Sequence, residues 1–221
     1  MSQISTPMEF KNYKVFKYTY AGRPLVIESG KMAGLANGSV LCRYGDTAIL
    51  CCATASEKPR DGIDFLPLSV DFDERMYAAG KIPGGYLKRE GKPSEKAVLP
   101  SRVIDRPIRP LFPKDLRNDV ALTLTVMSVD PDCSPEITAM IGASIALSIS
   151  DIPWNGPIGG VFVGLTDEEG IVINPTSEQR KRSHLELTVA ASEKKVVMIE
   201  AGAEEVADDV MFDAIMTAHE E

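Results

Sequence analysis

The order in which short apolar runs and turn-forming residues follow one another constrains the fold of this chain more than any other feature. Val15–Tyr20 and Leu25–Glu28 flank Ala21-Gly22-Arg23-Pro24, and Val40–Tyr44 and Thr47–Thr54 flank Gly45-Asp46. Each pair reads as a β-hairpin, because glycine supplies the positive φ that tight hairpin turns need. Phe65–Phe72 reads as a further strand. After a stretch broken by glycine and proline, Ser94 is placed to cap a helix running through Val98, Val103 and Ile104. Pro100 is expected to kink or restart that helix and Pro107 to end it. Val120–Val129 is rich in β-branched residues and reads as a strand. Ser134-Pro135-Glu136 then opens a second helix, with serine as cap and proline at the first position. Ile137, Met140, Ile141 and Ile145 form its apolar stripe. Gly142, Ala143, Ser144 and Ala146 keep it slim, as suits a helix pressed against a sheet. Gly160–Leu165, Gly170–Ile173, Leu185–Ala190 and Val196–Glu200 read as strands, and Glu204–Glu221 as a closing amphipathic helix. This order excludes a strictly alternating βα chain. It predicts an α+β fold in which helices pack on mainly antiparallel or mixed sheets.

At 221 residues the chain can bury a sizeable core. Residues 1–13 read as a tail or edge strand and residues 14–221 as one core domain. No apolar run approaches the roughly 20 residues that span a bilayer. The opening MSQISTPMEFKNYK has neither the apolar centre of a secretory signal nor the arginine content of a transit peptide. A cytoplasmic chain with no membrane partner is expected. Cys42, Cys51, Cys52 and Cys133 form no CxxC pair, so they read as small buried hydrophobes and not as zinc ligands or a redox dithiol. His184 and His219 lack metal-ligand spacing. Gly85–Ser94 resembles a phosphate-binding loop only loosely: Gly85 and Gly91 are wrongly spaced, and Pro93 stands where a hydroxyl would be required.

Charge is distributed unevenly. From Arg75 to Arg117 there are eleven cations against four anions, in a chain whose net charge is −8. A positive field on an otherwise repulsive surface suits a polyanion, of which nucleic acid is the commonest. Arg102 and Arg106 are one helical turn apart and share a face; Arg109 follows Pro107 and belongs to that face only if the helix continues. A planar guanidinium donates two hydrogen bonds to one phosphate at once. Tyr86, Leu87, Lys88 and Arg89, set between Gly84-Gly85 and Gly91, read as an exposed loop tip that could stack on a base while gripping the backbone. The alternative is a solvated basic loop whose cations are answered internally by Glu90, Glu95 and Asp105.

The segments DERMYAAGKIPGGYLKREGKPSE, SRVIDRPIRPLFP, MIGASIALSISDIPWNGPIGG and INPT closely resemble the bacterial polynucleotide phosphorylase family. The similarity covers essentially the whole chain and corresponds to the first of that family's two RNase PH-like core domains. It implies an RNase PH-like two-layer fold. It implies a parent enzyme that degrades RNA phosphorolytically from the 3′ end, releasing nucleoside diphosphates, with inorganic phosphate as co-substrate and magnesium assisting. It further implies a homotrimeric ring threaded by single-stranded RNA, open to membership of a larger RNA-degradation assembly. The family's helical linker, second core domain and KH and OB-fold modules have no counterpart up to Glu221, so a fragment or expressed domain is expected. The Tyr86–Arg89 loop would correspond to a channel constriction. Leu87 replaces an aromatic there and Lys88 an arginine, which weakens stacking and bidentate contact.

Carried over to this sequence, the family's catalytic positions are degenerate. The phosphate cradle, a serine run at a helix N-terminus, becomes Ser134-Pro135-Glu136: Pro135 offers no N–H, and Glu136 puts a negative charge where phosphate would sit. The two catalytic aspartates correspond to Glu178 and His184, and an imidazole is a poor magnesium ligand. Arg180, Lys181 and Arg182 between them repel a cation. The expectation is a non-catalytic domain that supplies RNA contact through Tyr86, Leu87, Lys88, Arg89, Arg102, Arg106 and Arg109, together with trimer contacts, and binds no metal itself. A free-standing RNA-binding module and an active single-domain nuclease are the competing readings.

Overall fold

The computed structural model describes residues 10–85 and 95–221. Strand β1 (Lys14–Tyr20) turns into β2 (Arg23–Ser29) through Ala21 and Gly22, whose φ angles of 45° and 75° make the two-residue turn that matches strand twist. A second hairpin joins β3 (Gly38–Tyr44) to β4 (Thr47–Pro59). Gly45 has φ 55°, as its place in the turn requires, and a Cβ on it would lie 2.6 Å from the Cys133 sulfur. Strand β5 (Leu68–Glu74) starts three residues later than its apolar run, because Phe65 and Leu66 belong to the loop before Pro67. It lies parallel to β6 (Asn118–Ser128), and helix α1 (Glu95–Ile108) makes the crossover. The sheet order is β1-β2-β3-β4-β6-β5, antiparallel except for that last pair.

Helix α1 departs from expectation. It runs without interruption through Pro100 and ends one residue beyond Pro107, continuing into a 3₁₀ turn at Arg109–Leu111. Both prolines lie on its buried side with Ala97, Ile104 and Ile108. Their rings are core side chains there, and packing outweighs the two missing backbone bonds. Ser101 ties the helix to the sheet: its Oγ donates to the Ala97 carbonyl at 2.9 Å and accepts from the Phe72 N–H at 3.2 Å. The expected cap, Ser94, lies outside the described residues.

Helix α2 (Pro135–Ser148) is capped as its sequence suggests, with Ser134 Oγ accepting from the Ile137 N–H at 3.3 Å. It lies against β3 and β4 on one side and against β7 (Gly159–Thr166) on the other, and most of its circumference is buried. Gly142 permits this close approach, since a Cβ there would stand 2.4 Å from the Cys51 sulfur. Strand β7 belongs to a second, antiparallel sheet of order β10-β9-β7-β8, made with β8 (Gly170–Ile173), β9 (Leu185–Ser192) and β10 (Lys195–Ala203). Helix α4 (Asp208–Glu220) covers it, packing Ala214 and Ala218 on Val161, Val163, Leu185, Leu187 and Val189. This helix starts at Asp208 and not Glu204, because Glu205 turns the chain with φ 52°. A short helix α3 (Ser177–Lys181), absent from the sequence reading, is fixed by a capping box between Thr176 and Gln179. The whole is the expected α+β architecture of mixed sheets packed with helices. Among the described residues no helix is long and apolar enough to cross a membrane.

Candidate functional site

Because α1 buries Ala97, Pro100, Ile104 and Pro107, it turns Arg102 and Arg106 outward together. Their expected proximity on one face holds. Arg106 Nη1 lies 3.4 Å from Glu200 Oε2 on β10, with both side chains about half exposed (52% and 45%), so water screens the pair. Arg102 is exposed, and no ion pair involves it among the described residues. Arg109 is used differently. Its Nε and Nη2 donate to Asp105 at 2.9 and 2.7 Å, and its Nη1 and Nη2 donate to the carbonyls of Leu66 and Leu68 at 3.1 and 3.0 Å. These bonds fasten the end of α1 to the segment entering β5. They use four of the five N–H donors a guanidinium has. Tyr86, Leu87, Lys88 and Arg89 lie outside the described residues. The approach to them is a 3₁₀ turn, Met76–Ala79, that exposes Tyr77, and Ile82 beyond it is almost fully exposed. Neither Tyr77 nor Ile82 belongs to a charged motif, so no sequence signal marks them.

The positions that correspond to the family's phosphate cradle, expected to be degenerate, carry their own anions. Ser134 Oγ donates to Glu136 Oε2 at 2.7 Å, so a carboxylate stands at the N-terminus of α2. Asp132 Oδ1 accepts the Ser177 N–H at 2.7 Å at the start of α3, and that bond holds its carboxyl below the usual carboxylate range. Asp130 is likewise held low, chiefly by the Asp132 N–H. Arg23 Nη1 donates to the carbonyls of Asp132 (2.8 Å) and Asn174 (2.9 Å), which joins the first hairpin to this corner.

Glu178 and His184 have separate partners. Glu178 pairs with Lys181 at 2.7 Å on the exposed side of α3. His184 Nδ1 lies 3.2 Å from Glu204 and its Nε2 3.4 Å from Asp167, and hydrogen bonding to these carboxylates, Glu204 first, raises its pKa above the ordinary imidazole value. Between them, Arg180 donates to the Pro131 carbonyl and Arg182 pairs with Glu168 at 2.8 Å. Among the described residues no group of three or more His, Cys, Asp or Glu side chains is placed to hold a metal ion. The donor set at Glu178 and His184 does not fit magnesium, since one member is tied to a lysine and the other is an imidazole bracketed by carboxylates. The four cysteines are free thiols. Burial pushes Cys42 up to about 12 and, with Asp130 beside it, Cys133 up to about 11, in keeping with structural roles.

Comparison with known proteins agrees with the fold and the motifs. The description "3′ exoribonuclease family, domain 1" matches residues 21–153, and "3′ exoribonuclease family, domain 2" matches residues 156–221. The polyribonucleotide nucleotidyltransferase of Ruminiclostridium cellulolyticum is 68% identical over 209 residues, covering 95% of this chain and 30% of that protein. The enzyme of the same name from Clostridioides difficile is 60% identical over 209 residues, again covering 95% of this chain and 30% of its own length. The chain thus spans about a third of the length of these relatives. Rice Rrp46 shares the fold, with a TM-score of 0.68 at 12% identity over 97% of this chain and 92% of the rice chain. With a family match across more than half its length, the chain belongs to the 3′ exoribonuclease family.

Proposed function

We propose that this chain is the RNA-gripping, non-catalytic core domain of a phosphorolytic 3′ exoribonuclease, the first of two such domains in its parent enzyme. The observation that carries the reading is the Glu136 carboxylate, which accepts from Ser134 at the N-terminus of α2. A phosphate entering there would meet a fixed negative charge, at a helix whose first position is a proline without an N–H. Phosphorolysis needs that anion site, so the domain leaves the reaction to a partner domain. Inorganic phosphate and magnesium act at that partner domain.

What this domain contributes is cationic surface. Arg102 offers an exposed guanidinium to a phosphate, and Arg106 can exchange its solvent-screened contact with Glu200 for one. Tyr86 to Arg89 extend the same grip, with Tyr86 stacking on a base. Arg109 serves mainly to hold α1 in place. The substrate is single-stranded RNA, the working assembly a homotrimeric ring in the cytoplasm, open to a larger RNA-degrading complex. The test is direct. The 221-residue chain, given an oligoribonucleotide, phosphate and magnesium, is expected to bind RNA and release no nucleoside diphosphate. Phosphate-dependent turnover by this chain would establish the single-domain nuclease instead.

A further inference from the structure

The six-stranded sheet ends at β1, and β1 is an unusual edge. Its side chains are exposed on both faces, including Phe16 (45%) and Tyr18 (58%), while Phe10, Tyr13 and Val15 are exposed around them. Edge strands are ordinarily short or protected, because a long apolar edge invites pairing. This one is also cationic: from Phe10 to Lys31 there are five cations and one anion, in a chain of net charge −8. That anion, Glu28, is already engaged. It accepts from Tyr13 Oη at 2.6 Å and pairs with Arg43 at 3.2 Å. Lys11, Lys14 and Lys17 have no carboxylate partner among the described residues.

The register shows which backbone groups are open. Thr19 stands opposite Pro24. Pro24 has no N–H, and its carbonyl accepts from the Gly45 N–H at 3.0 Å, so its backbone points toward β3. In an antiparallel pair, directly opposed residues either both bond to each other or both point away. Thr19 therefore points away from β2, and by the two-residue period so do Lys17 and Val15. Phe16 and Tyr18 face Ile27 and Leu25 across the pair, and their rings extend the apolar core face past the sheet edge. Among the described residues nothing bonds to the N–H and C=O groups of Val15, Lys17 and Thr19.

We propose that β1 is a docking edge for an extended acidic segment of another polypeptide, which adds to the sheet as a seventh strand. The outward amides and carbonyls of Val15, Lys17 and Thr19 would supply the ladder. Phe16 and Tyr18 would receive aliphatic side chains on one face of the sheet, and Lys17 would receive carboxylates on the other. The same charges argue against pairing of β1 with β1 of a second copy, which would set lysines against lysines. A nucleic acid strand fits less well, because phosphates cannot satisfy outward amides without also meeting the carbonyls beside them.

The probe is a fluorescein-labelled peptide of about ten alternating Glu and Val residues, matched to strand length. Titrated into the 221-residue chain, it is expected to bind and to slow hydrogen exchange at the amides of Val15, Lys17 and Thr19, leaving Phe16 and Tyr18 little changed. Lys17→Pro removes an outward N–H that the β1–β2 ladder does not use, and is expected to weaken the peptide about tenfold with the thermal midpoint retained. Should that variant not fold, Lys17→Glu gives the same test by exchanging preference from the Glu-Val peptide to a Lys-Val peptide. Absence of peptide binding, or binding that ignores these substitutions, overturns the proposal. So does an oligouridylate that shifts Phe16 and Tyr18 resonances where the peptide does not.

Discussion

Arg109→Ala separates two uses of an arginine that look alike in a basic stretch of sequence. Two of the bonds lost go to backbone carbonyls of the segment entering β5, and each such bond is worth about 0.5–1.5 kcal/mol. The paired contact with Asp105 is solvent-screened, with the arginine side chain 41% exposed, and adds about 0–1 kcal/mol. The expected loss is about 2 kcal/mol. With a urea m-value of about 2–3 kcal/mol/M, that is a fall in midpoint of roughly 0.7–1 M. Arg102→Ala removes an exposed side chain and should leave the midpoint nearly unmoved. RNA binding is expected to give the opposite ranking. Each phosphate contact on a single strand contributes about 0.7 to the slope of log affinity against log salt. Arg102→Ala should lower the slope by about that amount, and Arg109→Ala by much less. Urea titration followed by circular dichroism and fluorescence anisotropy across a salt series measure both quantities. If Arg109→Ala keeps its midpoint while its salt slope falls as in Arg102→Ala, the assignment of Arg109 to the fold is wrong.

Three other substitutions test the core and the pH response. Gly142→Ala gains helix propensity of about 1 kcal/mol but drives a methyl into the Cys51 sulfur, so a net loss of about 1–2 kcal/mol is expected; Cys51→Ala in the same chain should recover part of it in a double-mutant cycle by urea titration. His184 has a raised pKa in the folded chain, so its contribution to stability is complete below the ordinary value of about 6.5 and disappears as pH rises through the folded value. Urea midpoints measured across that window should fall with rising pH in the native chain and fall less in His184→Gln; parallel curves would show that Glu204 and Asp167 do not act on it.

Local signals were legible wherever one residue decides a backbone angle. Gly45 fixed its turn and Gly22 the first hairpin, although Arg23 and Pro24, read as part of that turn, already belong to β2; Ser134-Pro135 fixed the start of α2, because caps and turns are settled within four residues. The continuity of α1 was not legible. Proline is a helix breaker until its ring is buried, and burial depends on a sheet assembled from distant segments. Helix α3 is too short to show periodicity, and only its Thr176–Gln179 box marked it. At the candidate site, the charge misfit of Glu136 was readable from the sequence. The pairing of Arg106 with Glu200, 94 residues away, was not, and neither was the diversion of Arg109 to two carbonyls.

The two family matches meet between residues 153 and 156, yet α2 lies between the sheets they describe. It is apolar on nearly every side, with β3 and β4 against one flank and β7 against the other. Severing the polypeptide at that seam would strip a greasy rod of half its wrapping, and neither piece would keep its shape in water. The join is a boundary of ancestry only: mechanically both halves share one axle.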